Sequence, residues 1–169
     1  MSVLAPEKAA DLSADFKEAM RRLASTVAII TAREGDTWFG MAATAVMSVS
    51  TTPPCLVIAV NRTASLHPPV TATRKFCVNL LDIDHRDLVD VFSGKLKGPE
   101  RFQHGDWAEG EGGLPYLRGA AACLFCDLDV EIDHATHTLF IGAVSGVVNA
   151  PGHDPLVWVN GRSSRVVGA

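Results

Sequence analysis

The sequence has no Gly-x-Gly-x-x-Gly fingerprint and no Gly-x-x-x-x-Gly-Lys phosphate loop. Any nucleotide site must therefore use another architecture. It also lacks a Gly-x-Ser-x-Gly nucleophile elbow, and no hydrolytic set stands out. Charged residues are only 20% of the chain, the formal net charge is -4, and no basic run exceeds two residues. That argues against a nucleic-acid partner. It leaves room for an anionic cofactor, provided the phosphate site is built locally. No apolar stretch reaches membrane-spanning length without a polar break, and the best one, Cys55 to Val60, is strand-sized. The opening residues MSVLAPEKAADLSADF lack the basic-then-apolar layout of a secretory signal. The expectation is a cytoplasmic protein with no membrane contact. The chain also lacks internal repeats, a second-domain linker and the βα alternation of a Rossmann domain.

Hydrophobic residues make up 47% of 169 residues, enough for one domain with a real core. Residues 1–14 read as a loose tail and 15–169 as a single domain. Helical spacing starts at Asp15, with Phe16, Met20 and Leu23 recurring and Arg21 and Arg22 facing outward. TVAIITAR (26–33) and WFGMAATAV (38–46) read as a hairpin turning at Glu34-Gly35-Asp36. Pro53 and Pro54 interrupt the pattern before the strand CLVIAV (55–60). SLHPPVTATR (65–74) reads as a short helix or turn broken by Pro68 and Pro69. KFCVNLL (75–81) is a strand, and HRDLVDVFSG (85–94) has helical spacing ending at Gly94. The Gly-rich segment 94–113 is long enough to be a functional loop. In 121–133, Ala122, Leu124, Cys126, Leu128, Val130 and Ile132 alternate with Phe125, Asp127, Asp129, Glu131 and Asp133. That predicts one buried and one mostly solvated face. LFIGAVSGVV (139–148) returns the chain, and PLVWV (155–159) adds a last strand. Six or seven strands with short helical segments make a mainly β protein, an antiparallel barrel or sandwich.

Two clusters invite a metal. Cys123, Cys126, His134 and His137 give C-x2-C-x7-H-x2-H. On a strand, however, an odd separation points the two sulfurs to opposite faces, so no metal site is expected there. The acidic positions from Asp127 to Asp133 form a row rather than a cage, better read as a solvated face. The four cysteines all lie in apolar runs, which suits buried reduced thiols. ATAVMSVS, NRTAS and FSGKLK place small hydroxyl or glycine residues at strand exits and bends. Lys95, Lys97 and Arg101 lie nearby in sequence. The cluster reads either as a ligand site offering backbone donors or as turn chemistry. His137 alone reads as a surface or capping residue.

Taken together, several segments resemble the flavin reductase domain family, the reductase components of two-component flavin-dependent monooxygenases. They run in order as FKEAMRRLASTVAIIT from Phe16, GMAATAVMSVSTTPP from Gly40, NRTAS from Asn61 and FCVNLL from Phe76. FSG at Phe92, RF at Arg101, LRGA at Leu117, HTLFIGAV at His137, PLVW and Gly161-Arg162 follow. The resemblance implies an FMN-binding split β-barrel with short flanking helices. It implies a homodimer that uses NADH or NADPH to reduce FMN or FAD for a partner monooxygenase. A non-catalytic flavin-binding or electron-transfer protein is the alternative. It implies flavin contacts at Ala43, Thr44, Ala45, Ser48 and Ser50, and ribityl-phosphate contacts at Asn61 and Ser65. Phe76, Cys77 and Asn79 are implied on the neighbouring strand, and Ser93, Gly94 and Lys95 at the phosphate end. His137 is implied as a nicotinamide-positioning residue. One departure is Ser163, where the family often carries an aromatic residue.

Overall fold

The computed structural model describes residues 6–167. Helix α1 (Pro6–Arg21) leads into β1 (Ser25–Thr26), β2 (Ala28–Glu34), β3 (Thr37–Ala43), β4 (Val46–Thr51) and β5 (Pro54–Asn61). Then come α2 (His67–Thr73), β6 (Lys75–Leu80) and α3 (Arg86–Asp90). A π-helical turn (Val91–Lys95) and a 3-10 turn (Gly98–Gln103) precede the short hairpin β7 (Trp107–Glu109) and β8 (Pro115–Leu117). The chain closes with β9 (Ala122–His134), β10 (His137–Asn149), β11 (Leu156–Val159) and β12 (Arg162–Arg165). The expected tail over 1–14 is helical from Pro6; residues 1–5 lie outside the described residues, as do 168–169. A proline suits a first helical turn, and Lys8, Ala9 and Ala10 are good helix formers, so the helix starts well before the apolar periodicity does. The same logic corrects α2: Pro68 and Pro69 open the helix rather than break it.

Seven strands form one antiparallel sheet in the order β3-β2-β6-β9-β10-β5-β4. A second sheet, β1-β11-β12, and the β7-β8 hairpin complete the described structure. The fold is therefore mixed, with antiparallel sheets dominant. The large sheet has two edges, β3 and β4, which are consecutive in sequence and joined only by Thr44 and Ala45.

The centre of this sheet is buried on both faces. Along β2, Ala28, Ile30 and Ala32 enter one core while Ile29 enters the other. Along β6, Phe76 and Val78 oppose Cys77 in the same way, and along β9, Cys126 and Leu128 oppose Cys123 and Phe125. Period-two alternation explains the split. The second core lies between the sheet and the segment from Leu81 to Ala120, which supplies Leu88, Phe92, Leu114 and Leu117.

The single-face reading of 122–132 holds only in part. The β9–β10 register shifts between Ile141 and Gly142, whose partners are Val130 and Leu128, so Asp129 is an extra residue in β9. A bulge of this kind inverts the alternation beyond it. Leu128 is buried, whereas Val130 and Ile132 are 41% and 47% exposed. The acidic residues accordingly do not form one continuous row.

Candidate functional site

Thr44, one of the two residues that link the edge strands, lies at the meeting point of three clefts. The first, of about 530 Å³, is bordered by Ser25, Thr26, Ser48, Ser50, Leu80 and Leu124, and by Thr44. The second, of about 980 Å³, lies between α1 and Trp158 and is also bordered by Thr44 and Ala45. The third, of about 400 Å³, is bordered by Ala42, Ala43, Thr44, Ser93 and Trp158. Thr44 belongs to all three. Side chains along this seam are small, so a ligand can approach the backbone closely. The edge strands β3 and β4 each keep a row of N–H and C=O groups outside the sheet ladder. At the seam the Thr44 carbonyl accepts from Val46 N at 3.0 Å, and the Ala45 carbonyl accepts from Ala59 N at 3.2 Å. The Ser50 hydroxyl accepts from Thr52 N at 3.0 Å, which orients it within its turn.

Charge bordering the clefts is balanced. Lys17 and Arg21 border the second cleft, with Glu18 beside them, and Asp90 borders the third. Among the described residues Lys95, Lys97 and Arg101 make no ion pair. Lys95 and Lys97 are exposed, while burial lowers the affinity of the half-buried Arg101 for its proton.

The structure brings Ala43, Thr44, Ala45, Ser48, Ser50 and Ser93 onto these clefts. Gly94 and Lys95 follow Ser93 in the same π-helical turn, and Gly94 holds a φ of 113°, open to glycine alone at low cost.

Three expected contacts lie away from the clefts. Phe76, Cys77 and Asn79 are fully buried, and none reaches a cleft. Phe76 packs in one core and Cys77 in the other. Asn79 Nδ2 donates to Ile29 O at 2.9 Å, and its Oδ1 accepts from Leu117 N at 2.8 Å. They build the sheet behind the seam.

Asn61, Ser65 and His137 form a separate group. His137 pairs with Asn61 across β10 and β5, and neither borders the three clefts. Strand rise and spacing put the His137 backbone about 12 Å from Ala45. The Asn61 Oδ1 accepts from Thr63 N and Thr63 Oγ1, both at 2.9 Å, which closes a local turn. Ser65 is exposed. His137 is exposed, with Nδ1 2.9 Å from Thr136 Oγ1. Cys123 and Cys126 lie in opposite cores, as their odd spacing implied.

Trp158 was read from sequence only as part of the last strand, PLVWV. It borders two clefts. Its cross-strand partner is Ser163, and directly paired residues share a face. The aromatic surface absent at Ser163 thus has a neighbour in Trp158. A lone tryptophan in the last apolar strand was the available signal.

The fold and the small-residue seam between its edge strands agree with what the comparisons return. The family model described as "Flavin reductase like domain" matches residues 20–166, and the chain belongs to that family. It is 37% identical over 148 residues to FMN reductase (NADH) RutF 2 of Rhizobium rhizogenes, covering 88% of this chain and 86% of that one. It is 38% identical over 161 residues to the reductase component of the FADH(2)-dependent resorcinol hydroxylase of a Rhizobium species, covering 94% and 88%. The NADH:FAD oxidoreductase SgcE6 of Streptomyces globisporus superimposes with a TM-score of 0.87 at 26% identity, covering 99% of both chains. The same protein in complex with NAD and FAD fragments gives a TM-score of 0.86. The fold resembles the split-barrel flavin reductase fold.

Proposed function

We propose that this chain is an NAD(P)H-dependent flavin reductase that takes hydride from NADH or NADPH to FMN or FAD and supplies reduced flavin to a partner monooxygenase. The observation that carries the reading is the Ala42–Ala45 seam, small-walled and at a free sheet edge, whose Thr44 borders all three clefts. The named relatives include an FMN reductase and a hydroxylase reductase component, which supports it.

The residues fit a flavin. A flat ring system needs a wall without bulky side chains, and Ala42, Ala43, Thr44 and Ala45 make one. Its polar edge needs donors, which the unpaired N–H groups of an edge strand provide. Its phosphate needs positive charge and small polar groups, for which we assign Ser93, Gly94 and Lys95. Flavin, when bound, accepts the hydride and needs no protein nucleophile. The chain's work is to bind two flat molecules face to face, exclude water and offer donors where negative charge grows. His137 is assigned to orienting the nicotinamide, and Asn61 and Ser65 to the ribityl-phosphate part. These three lie at the β5–β10 end, so the assignment needs an extended ligand or a second copy to bridge the gap.

A homodimer belongs to this reading. The outer face of β4, β5, β10 and β9 carries two apolar cross-strand rows, Met47–Val57–Ile141–Val130 and Ala45–Ala59–Leu139–Ile132. Met47 is 62% exposed. The second row ends at Ala45, on the second cleft. A second copy on this face would stand beside the seam.

The test mixes purified protein with NADH or NADPH and either FMN or FAD. Flavin-dependent loss of nicotinamide absorbance is expected. No stimulation by either flavin sinks the reading, and flavin binding without oxidation favours the electron-transfer alternative. In His137→Ala, nicotinamide use should weaken more than flavin binding.

A further inference from the structure

Arg101 lies on the 3-10 turn Gly98–Gln103, outside the three clefts, and has no carboxylate partner among the described residues. Its guanidinium is instead spent on two carbonyls. Nε donates to Leu96 O at 2.9 Å, and one terminal nitrogen donates to Gly40 O. Leu96 directly follows the π-helical turn that carries Ser93 into the third cleft. Gly40 sits on β3, two residues before Ala42 on the opposite wall of that cleft. One planar group therefore ties both walls together. The next residue, Phe102, packs edge-on against Trp38, Phe92 and Trp107, with centroids at 5.3, 5.3 and 5.0 Å. Gly40 is part of the same joint: a Cβ there would stand 2.6 Å from the Phe92 ring. A guanidinium suits this task because its fork presents donors in fixed directions, which an ammonium does not.

We infer that Arg101 is a positioning residue that sets the width of the third cleft, and with it flavin affinity, by bridging Leu96 and Gly40. This rests on the reductase reading. Arg101 touches no reacting atom, so its loss should act on flavin capture rather than on hydride transfer.

The experiment compares Arg101→Ala and Arg101→Lys with the unsubstituted full chain. It reads flavin dissociation constants by fluorescence, KM for flavin and for nicotinamide, kcat, thermal midpoint, and amide exchange over residues 91–103 without flavin. Both variants are expected to raise the flavin dissociation constant and KM about tenfold, the size of one charge-assisted hydrogen bond. The kcat at saturating flavin and the nicotinamide KM should stay within about twofold. Exchange over 91–103 should quicken in both. If Lys restores flavin affinity, charge rather than bridging is the cause and the inference falls. Equal losses of flavin and nicotinamide use, or unchanged exchange, also overturn it. Should Arg101→Ala fail to fold, Arg101→Lys decides alone. Failure of the unsubstituted protein to turn over with any flavin would instead count against the reductase reading, and the exchange data would still judge the bridge.

Discussion

At the scale of one residue, Asn79 is a motif residue bound up in the sheet's own hydrogen bonds. Its amide joins β6 to β2 and to β8, since it bonds Ile29 O and Leu117 N while fully buried. Thr31 reinforces the same junction by donating to Pro115 O at 2.5 Å. Asn79→Ala strands a buried N–H and a buried carbonyl, and the cost of each is that of an unsatisfied group. Urea unfolding should show a loss of about 2–4 kcal/mol. Flavin affinity of the folded variant should change less than about threefold, because Asn79 reaches no cleft. A large loss of affinity at unchanged stability would return the residue to the ligand. Sequence similarity located Thr44, Ser48 and Ser93 at the clefts, and Phe76, Cys77 and Asn79 in the core, with the same signal for both. Burial distinguishes them, and a lone sequence does not display burial for a polar residue inside a strand. Trp158 was the converse case: its place at the clefts depends on β11 reaching β1 and β12, a pairing that no local pattern announces.

At the scale of elements, strand identities were legible because alternation and β-branched runs are local, while faces were lost where alternation slips. The bulge at Asp129 turned Val130 and Ile132 away from the core that holds Leu128, and no residue type at that point marks the extra position. The start of α1 was missed for a related reason, since its first turns carry no apolar stripe. Where β6 and β9 cross the centre of the sheet, three thiols are packed from both faces. Burial pushes Cys123 up to about 11 and Cys126 up to about 12, and burial, followed by the nearby Cys123, holds Cys77 well above its ordinary value. Folded thiols thus keep their protons at pH values where those of the unfolded chain have lost them. In that range the unfolded chain binds fewer protons, so stability falls as pH rises. The decline should begin near the ordinary thiol value of 9.0 and continue toward about 11. Urea midpoints measured from pH 7 to pH 10 should fall above pH 9, and a Cys123→Ala/Cys126→Ala variant should show a shallower fall. An identical slope in the two proteins would remove the thiols as its cause.

At the scale of the whole molecule, two apolar surfaces are exposed among the described residues, and they meet at the seam. One is the outer sheet face with Met47, Val130 and Ile132 exposed. The other is the stripe on α1 and its exit, where Leu12, Phe16, Met20 and Leu23 are 55%, 63%, 46% and 57% exposed. Contiguous apolar surface of this kind marks an interaction site. Ala45 belongs to the sheet face and to the cleft that α1 borders, so one partner could cover both. A second copy satisfies this with a two-fold axis, each copy presenting the same face to the other. The prediction is a dimer of the 18.0 kDa chain in sedimentation at micromolar concentration. Met47→Asp combined with Ile132→Asp puts four charges into that interface and should give a folded monomer. Both positions are solvent-facing in the single chain, so the circular dichroism spectrum should be retained. The flavin KM should rise at least about tenfold in the monomer, since the second cleft then loses the cover of the second copy. A double variant that still sediments as a dimer would move the interface elsewhere. A monomer with unchanged flavin KM would show that the seam binds flavin without help from a second copy.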